Sequence, residues 1–229
     1  MRVLVLTGAG ISAESGLPTF RGEDGLWEGH RVESVATPEA FASDPKLVYK
    51  FYNMRRLALK DVRPNAAHRA LYKLEQALGE DFLLVTQNVD NLHDRCGHRR
   101  IRHMHGRLDE ARNEAGDVIP WSRDLGPKDR CPTTGSRLRP NIVWFGEVPF
   151  HLDGVADFLQ RCTVFCAIGT SGLVYPAANF AQVAWQQRTH TVEINLERTG
   201  GTFADTRRGR ATKLVPQWVA ELIERARWE

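Results

Sequence analysis

The sequence RVLVLTGAGISA, residues 2–13, decides the fold. Its first half, Arg2–Thr7, is a short run rich in valine and leucine, which is typical of a buried parallel strand. Its second half fits the pattern G-x-G-x-x-G/A with Gly8, Gly10 and Ala13. Such a loop lets the backbone approach a pyrophosphate and leads into a helix whose free N–H groups attract phosphate. The stretch therefore predicts a dinucleotide-binding loop, with a plain strand–turn–helix corner as the alternative.

Short apolar runs and helical patterns alternate along the rest of the chain. Further strand-like runs are found at Phe82–Thr86, Ile142–Phe145, Thr163–Ile168 and Thr191–Ile194. Apolar residues at helical spacing occur from Pro64 to Leu78 and from Pro216 to Trp228, where Pro216 would take the first helical position. This alternation predicts an α/β fold in which a Rossmann-like, mostly parallel sheet has helices on both faces.

Two stretches, 31–61 and 108–139, interrupt the alternation. The first contains a helix opened by Asp44 and Pro45, a good N-cap and first-turn residue. The second is polar and weakly periodic. We expect both to form a small inserted lobe on a single domain, residues 1–229, whose Rossmann-like core comprises about 1–30, 62–107 and 140–229. The cleft between lobe and sheet is the expected ligand site.

Composition excludes several classes of protein. The 229 residues are 42% hydrophobic and 26% charged, as in ordinary globular proteins. A net charge of +3 gives no reason to expect nucleic-acid binding. The four cysteines form no disulfide framework and the N-terminal apolar run is too short for a signal peptide, so we expect a cytoplasmic protein. The uncharged stretch Cys162–Gln187 is interrupted by glycine and proline, which argues against a membrane span. The sequence does not decide the oligomeric state.

An ordinary nicotinamide-dependent dehydrogenase would carry an acidic residue after a second strand, about 20 residues beyond the glycine loop. Glu28 lies at about that distance, but Pro18 and the pair Arg21-Gly22 intervene, so no strand precedes it. The loop therefore predicts dinucleotide binding of another kind.

Six strings in the chain resemble the sirtuins, the NAD-dependent protein deacylases. They are GAGISAESGLPTFRG (8–22), TQNVDNLH (86–93), HG (105–106), LRPNIVWFGE (138–147), GTS (169–171) and NLE (195–197). They follow one another in the family's order across nearly the whole chain. The resemblance implies an enzyme that consumes NAD, releases nicotinamide and transfers the acyl group of a modified protein lysine to ADP-ribose. Its partners would be acylated proteins.

The residue types permit this chemistry. Asn88 and Asp90, just after the run that ends at Thr86, could hydrogen-bond a carboxamide such as that of nicotinamide, or form an Asx turn that caps the next helix. His105 could take a proton from a hydroxyl near neutral pH, or could be a structural histidine.

The resemblance assigns roles to these residues and to others. It implies that His105 is the general base, that Asn88 and Gln87 lie near the nicotinamide ribose, and that Asp90 holds the carboxamide. Phe20 and Arg21 would cover the cleft and help to place NAD. The residues implied to bind NAD are Gly8, Ala9, Gly10, Ser12, Ala13, Phe20, Arg21, Trp27, Gln87, Asn88, Asp90, Gly169, Thr170, Ser171, Asn195, Leu196, Glu197 and Ala211.

The apolar run around Gly146 could expose a strand edge that pairs with an extended substrate peptide. The resemblance places the residues that contact the peptide and the entering lysine here. They are Phe145, Gly146, Glu147 and Val148.

Tyr52 and Arg55 lie three residues apart on the helix that begins after Asp44, so they share one face. A phenol and a guanidinium together could bind a carboxylate at the end of an acyl chain, although a solvated helix face is the alternative. The string FYNMRR (51–56) resembles the Tyr-x-x-Arg signature of sirtuins that remove succinyl and malonyl groups. The acyl groups expected are therefore acetyl and, in addition, succinyl or malonyl.

The chain departs from the family at the structural zinc site. Sirtuins usually hold zinc on two Cys-x-x-Cys pairs, but the matching positions here are Asn113, Gly116, Cys131 and Thr134. One thiolate cannot make a closed tetrahedral site, so we predict that zinc is absent and that the lobe is held together by packing, with Trp121 at its centre. Cys162 and Cys166 are expected on a strand of the sheet, too far to substitute.

Two other functions would use the same NAD-binding residues. An ADP-ribosyltransferase would also expel nicotinamide, but would pass the sugar to a protein side chain. A noncatalytic NAD-binding module would have no need of a base such as His105.

Overall fold

The computed structural model describes residues 1–19, 26–27, 29–170 and 177–228. The strands are β1 (Val3–Thr7), β2 (Leu26–Trp27), β3 (His30–Arg31), β4 (Phe82–Thr86), β5 (Ile101–His103), β6 (Gly106–Arg112), β7 (Val118–Pro120), β8 (Arg139–Ile142), β9 (Val164–Ile168), β10 (His190–Asn195) and β11 (Asp205–Arg208). The helices are α1 (Gly10–Ala13), α2 (Val32–Val35), α3 (Pro38–Ser43), α4 (Pro45–Ala58), α5 (Ala66–Leu78), α6 (Leu92–Cys96), α7 (Leu152–Leu159), α8 (Ala177–Gln186) and α9 (Ala211–Ala226), with a 3₁₀ turn at Gly79–Asp81.

The main sheet has six parallel strands in the order β11-β10-β9-β1-β4-β5. Thr7 at the end of β1 pairs with Thr86 of β4 and with Ile168 of β9, so three central strands end at one level. Side chains of β1 alternate between two cores. Val3 and Val5 pack in the core that includes residues of α5 and α9. Leu4 and Leu6 pack in the core that includes residues of α7 and α8. The predicted Rossmann-like α/β fold is confirmed.

The run Ile142–Phe145 was expected to be a strand of this sheet, and that prediction is wrong. The strand is β8, which ends at Ile142 and pairs with β6 in a separate three-stranded sheet, β7-β6-β8. The chain turns after it because Gly146 has a φ of +89° and the Glu147 N–H donates to the Trp144 carbonyl at 3.0 Å. A continuous apolar run does not distinguish a strand from a turn that buries one large side chain.

Helices α4 and α5 each begin directly after a residue whose side chain caps the first turn. Asp44 accepts a hydrogen bond from the Leu47 N–H at 3.0 Å and Pro45 is the first residue of α4, as predicted. Helix α5 begins at Ala66 rather than at Pro64, because Asn65 caps it.

Helix α9 begins at Ala211, so Pro216 lies inside the helix and not at its first position. The Glu14 carboxylate accepts hydrogen bonds from the backbone N–H of Thr212 at 3.0 Å and from its hydroxyl at 2.6 Å, which supports an earlier start. The proline costs the helix one backbone donor in its second turn.

Cys166 lies on β9 as expected, whereas Cys162 lies before that strand begins.

Helix α4 is fixed to the small sheet by buried polar contacts. Arg56 donates to the Leu108 carbonyl at 2.7 Å and to Asn53 at 2.7 Å, and Asn53 in turn donates to the Leu125 carbonyl at 2.9 Å. These bonds hold the helix that carries Tyr52 and Arg55 in one orientation.

The division into core and lobe stays a prediction. In the part of the chain that the structure describes, no helix has the length and apolar character needed to cross a membrane.

Candidate active site

The glycine loop after β1 packs directly on the loop after β9. A Cβ on Gly8 would lie 2.7 Å from the Gly169 carbonyl oxygen, and one on Gly10 would lie 2.7 Å from the Gly169 Cα. Only glycine fits at these two positions, because the two backbones touch. The contact brings the loops that follow β1 and β9 together at the carboxyl edge of the sheet, where open α/β sheets bind ligands.

The N–H groups of residues 10–13 were expected to be free, but each has an acceptor within the described residues, and phosphate binding at this loop stays a prediction. Gly10 donates to the Gly169 carbonyl at 2.8 Å, Ile11 donates to Gly8 at 3.2 Å, and Ser12 and Ala13 each donate to Ala9 at 3.1 Å. Helix α1 has only four residues, and its N–H groups bond to carbonyls of the preceding loop and of Gly169. These four donors are therefore used within the loop and in its contact with Gly169.

Ser12, Asn88 and Asp90 form a buried polar cluster at the end of β1 and β4. The Ser12 hydroxyl donates to the Asp90 Oδ2 at 2.9 Å, and the Asn88 side-chain amide donates to the Ser12 Oγ at 3.2 Å and to the Gly8 carbonyl at 3.1 Å. His68 of α5 lies behind the cluster, its Nε2 3.5 Å from the Ser12 Oγ. Sequence reasoning missed His68, although its spacing three residues after the N-cap Asn65 is that of a capping box.

Asp90 also forms the Asx turn that was the alternative interpretation. Its Oδ1 accepts the Leu92 N–H at 3.0 Å, at the start of α6. Burial raises the pKa of Asp90, although hydrogen bonds from Leu92 and Ser12 and the charges of His103 and Arg55 oppose this shift. The turn and the cluster use different oxygens, so the same carboxyl group is fixed on both sides.

His105 lies directly before Gly106, where β6 begins. Its Nδ1 lies 3.1 Å from the Gln87 carbonyl oxygen, and because a carbonyl only accepts, Nδ1 carries the proton and Nε2 is the basic nitrogen. Burial lowers the pKa of His105, although the bond to Gln87 opposes the shift. The ring is therefore neutral at pH 7 and has the protonation state of a general base.

Thr170, predicted to contact the adenosine half, joins Asn195 of the same half to Gln87, which the resemblance implies lies near the nicotinamide ribose. Gln87 donates to the Thr170 Oγ1 at 2.9 Å, and Asn195, the last residue of β10, donates to the Thr170 carbonyl at 2.8 Å. Leu196 and Glu197 follow on the exposed surface. Ala211 was expected in the last loop but is the buried first residue of α9.

Several predicted site residues lie outside the described residues. These are Phe20, Arg21 and Ser171, together with the side chain of Trp27, whose backbone belongs to β2.

Tyr52 is fully buried on α4, and Arg55, half-buried, is on the same face. Burial raises the pKa of Tyr52 as it raises that of Asp90, and the positive charge of Arg55 opposes both shifts. The guanidinium therefore lies near both the phenol and the Asp90 carboxyl group. Trp144, which sequence reasoning missed, donates its indole N–H to the Tyr52 oxygen at 3.0 Å.

The segment after β8 is held in register with His105. The Val143 N–H donates to the His105 carbonyl at 3.0 Å. Arg139 holds the Glu147 carboxylate through bonds of 2.7 and 2.8 Å, and Arg112 adds bonds of 2.9 and 3.0 Å. Of the predicted peptide-contacting residues, Phe145 and Val148 are 46% and 75% exposed, whereas the carboxylate of Glu147 faces these two arginines.

The four positions that match the zinc ligands of sirtuins also come together. The Asn113 amide donates to the Thr134 Oγ1 at 3.2 Å, and the Gly116 N–H donates to the Asn113 carbonyl at 3.2 Å. Hydrogen bonds from Thr134 lower the pKa of the Cys131 thiol. One thiol with an amide and a hydroxyl does not fit a zinc ion, and the described residues contain no group of three His, Cys, Asp or Glu side chains suited to a metal.

The family model described as the Sir2 family matches residues 8–176. The chain belongs to the Sir2 family. A relative from Shigella flexneri named NAD-dependent protein deacylase is 54% identical over 97% of this chain and 84% of its own length. Two solved Sir2 structures are similar throughout. A triple mutant in complex with 2′-O-acetyl-ADP-ribose has a TM-score of 0.88 at 39% identity, covering 98% of this chain and 92% of that one. A Sir2 complex with a p53 peptide and NAD⁺ has a TM-score of 0.79 at 27% identity, covering 100% and 94%. The expected family is confirmed, and the relatives' names support the expected NAD-dependent deacylase.

Proposed function

We propose that this Sir2-family chain is an NAD-dependent protein-lysine deacylase that transfers the acyl group to ADP-ribose and releases nicotinamide. The observation that carries the proposal is the His105 ring, whose basic Nε2 lies at the same sheet edge as the Ser12–Asn88–Asp90 cluster. A noncatalytic NAD-binding module would not need a neutral histidine fixed in one tautomer.

The side chains at the edge have the chemistry that NAD requires. Bound NAD supplies the ribose carbon from which nicotinamide leaves and to which the acyl oxygen is joined. Asp90 and Asn88 are placed to hold the carboxamide and the adjacent ribose, because an amide ligand needs both acceptors and donors. Gln87 belongs to the nicotinamide-ribose side of the proposed site and bonds Thr170, which with Asn195 is assigned to the adenosine half.

His105 is the base of the proposed reaction. Nε2 accepts a proton from a ribose hydroxyl, while the bond from Nδ1 to Gln87 holds the ring in place and stabilises the charged form. The step therefore requires the neutral ring, which the lowered pKa provides near pH 7.

We further propose that the enzyme accepts succinyl or malonyl groups as well as acetyl groups. Arg55 supplies a positive charge and Tyr52 a phenol on one face of α4, which suits a terminal carboxylate. The charge of Arg55 acts to lower the pKa of both Tyr52 and Asp90, which supports a position between the acyl pocket and the nicotinamide end of the site. Acetyl groups remain substrates because a pocket for a longer chain does not exclude a short one.

We also propose that the small lobe is stable without zinc. The residues at the zinc positions bond to one another, and Trp121, Leu125 and Leu138 pack in a buried cluster beside them. The cluster supports the expectation of packing around Trp121, and the hydrogen bonds add a contribution that the sequence did not predict.

The direct test is turnover of matched acetyl-, malonyl- and succinyl-lysine peptides with NAD. We expect nicotinamide release that depends on the acylated peptide, together with free lysine and O-acyl-ADP-ribose by mass spectrometry. ADP-ribose attached to a protein side chain would instead identify a transferase. Failure of every acylated peptide to release nicotinamide would contradict the proposal. The acylated protein partners, the cytoplasmic location and the lack of nucleic-acid binding stay predictions from the sequence.

A further inference from the structure

Trp144 lies between the proposed peptide segment and the proposed acyl pocket. Its backbone N–H donates to the Glu147 carboxylate at 2.8 Å, within the turn that exposes Phe145. Its side chain is only 2% exposed and extends toward α4, where it contacts Tyr52. One residue therefore joins two parts of the substrate site that are 92 residues apart in the chain.

The indole is held tightly. The Arg139 guanidinium lies 3.5 Å from the ring centroid, and the Phe41 ring centroid lies at 5.2 Å. Arg139 also bonds the Glu147 carboxylate, so the same cation fixes both the backbone turn and the indole. A ring with these neighbours has little freedom to rotate, and its N–H direction is set by packing.

The hydrogen bond to Tyr52 has only one possible direction. An indole N–H is a donor and cannot accept, whereas a phenol oxygen can do both. At 3.0 Å the N–H occupies an acceptor position of the phenol, and the phenol proton is then directed to a different neighbour. A phenol that accepts at one position keeps its O–H for an acceptor, and a carboxylate on an acyl group is an acceptor.

We propose that Trp144 is a specificity-determining positioning residue, which fixes the Tyr52 phenol as a donor toward acidic acyl groups and ties it to the peptide segment. This inference rests on the proposed preference for succinyl or malonyl groups. It adds a residue that does not touch the acyl group but orients one that does.

The test compares acyl selectivity, defined as kcat/KM for a succinyl-lysine peptide divided by that for the matched acetyl peptide. Trp144→Phe removes the N–H and keeps an aromatic ring. We expect selectivity to fall roughly three- to tenfold, the loss of one buried hydrogen bond. The control is Trp121→Phe, the same change in the small lobe, where the indole N–H bonds the Asp124 carbonyl and selectivity should not change.

A double-mutant cycle isolates the contact. If Trp144 acts through Tyr52, the pair Trp144→Phe with Tyr52→Phe has the selectivity of Tyr52→Phe alone. Effects of the two changes that multiply would overturn the inference. If Trp144→Phe does not fold, 3-benzothienylalanine at position 144, which has sulfur in place of the N–H, keeps the shape of the side chain and allows the same measurement.

Failure of the inference is distinct from failure of the proposed acyl preference. An Arg55→Met variant with unchanged selectivity removes the acidic-acyl proposal and, with it, this inference. A large loss with Arg55→Met but none with either replacement at Trp144 overturns the role of Trp144 alone.

Discussion

The carboxyl edge of the parallel sheet and the turn that joins residues 113–117 to 131–134, where the matched zinc positions lie, both contain bonded polar side chains, but in different arrangements. In the turn, the Asn113 amide donates to Asp117 at 2.8 Å and to Thr134 at 3.2 Å, so these polar groups are bonded to one another. At the edge, Ser12 and Asp90 are also bonded to each other, yet the His105 tautomer leaves Nε2 as a base. The sheet edge therefore keeps a basic nitrogen available. In the turn, hydrogen bonds connect the positions at which sirtuins usually carry the thiolates of a zinc site. Losses at the edge should therefore affect activity, and losses in the turn should affect stability.

The largest effect is expected from removal of the base. His105→Ala should lower kcat by roughly 10²–10⁴-fold, the range for general acid–base catalysis, with no loss of secondary structure. Nicotinamide release with an acetyl-lysine peptide measures it. His190→Ala is the control, because His190 is an exposed histidine at the start of β10. A His105→Ala variant with wild-type turnover would remove His105 from the mechanism.

Acid should destabilise the sheet edge through its buried histidines. Burial lowers the pKa of His68 to about 3, and it also lowers those of His93 and His105. The folded state keeps these rings neutral, whereas the unfolded chain takes up protons below its pKa of about 6.5, so stability present above that pH is lost as pH falls. Each histidine should contribute a slope of up to about 1.4 kcal/mol per pH unit.

Urea unfolding at several pH values between 7.5 and 5 measures this slope. His68→Gln removes one titrating group and should reduce the slope, whatever it does to stability at pH 7.5. His190→Gln, at an exposed position, should leave the slope unchanged. Equal slopes in wild type and His68→Gln would show that the ring is not held neutral in the folded state.

The acyl pocket should respond selectively to loss of its cation. Arg55→Met should reduce turnover of a succinyl-lysine peptide roughly ten- to hundredfold, the loss of a hydrogen bond to a charged group, and change the acetyl peptide much less. Lys50→Met removes a cation from an exposed position of the same helix and serves as the control. Equal losses for both peptides after Arg55→Met would mean that Arg55 holds the site together rather than selecting the acyl group.

The same comparison shows how much the sequence could predict. The strand ends at β1, β4 and β9 were predictable because strands buried on both faces are continuous apolar runs next to turn residues. The loops after β1 and β4 therefore placed Ser12 and Asn88 at one edge, and His105 follows β5, the strand next to β4. The N–H groups at the start of α1 were expected to be free, but they donate to the Gly169 carbonyl and to carbonyls of their own loop. No local sequence pattern predicts that contact.

Contacts between distant segments account for the other failures. The bond from Trp144 to Tyr52 spans 92 residues, and the bonds from Thr212 to Glu14 that support the early start of α9 span 198. Both depend on packing of whole elements, which hydrophobic periodicity does not specify. The sequence shows that three of the four matched zinc positions lack a thiol, but only the structure shows that Asn113 bonds to Thr134.

The smallest effect is expected in the turn at the matched zinc positions. Asn113 is 2% exposed, and its side-chain oxygen accepts the Asp117 N–H at 2.9 Å. Asn113→Ala should lower the free energy of unfolding by about 1–3 kcal/mol, because a buried side chain loses its hydrogen bonds to Asp117 and Thr134, and should leave kcat unchanged. Chemical denaturation measures the first and peptide turnover the second. Thr133→Ala, at an exposed position of the same turn, is the control.

A metal measurement separates a turn held by hydrogen bonds from one that still holds zinc. Elemental analysis of the wild-type chain should find no zinc, and EDTA should not change its unfolding temperature. The triple variant N113C/G116C/T134C restores, with Cys131, four thiols at the matched positions and should bind one zinc per chain, because four thiolates complete a tetrahedral site. One zinc per wild-type chain would contradict the hydrogen-bonded turn. A triple variant that binds none would show that its backbone has moved away from the geometry of a metal site, so that the hydrogen bonds shape the turn as well as stabilise it.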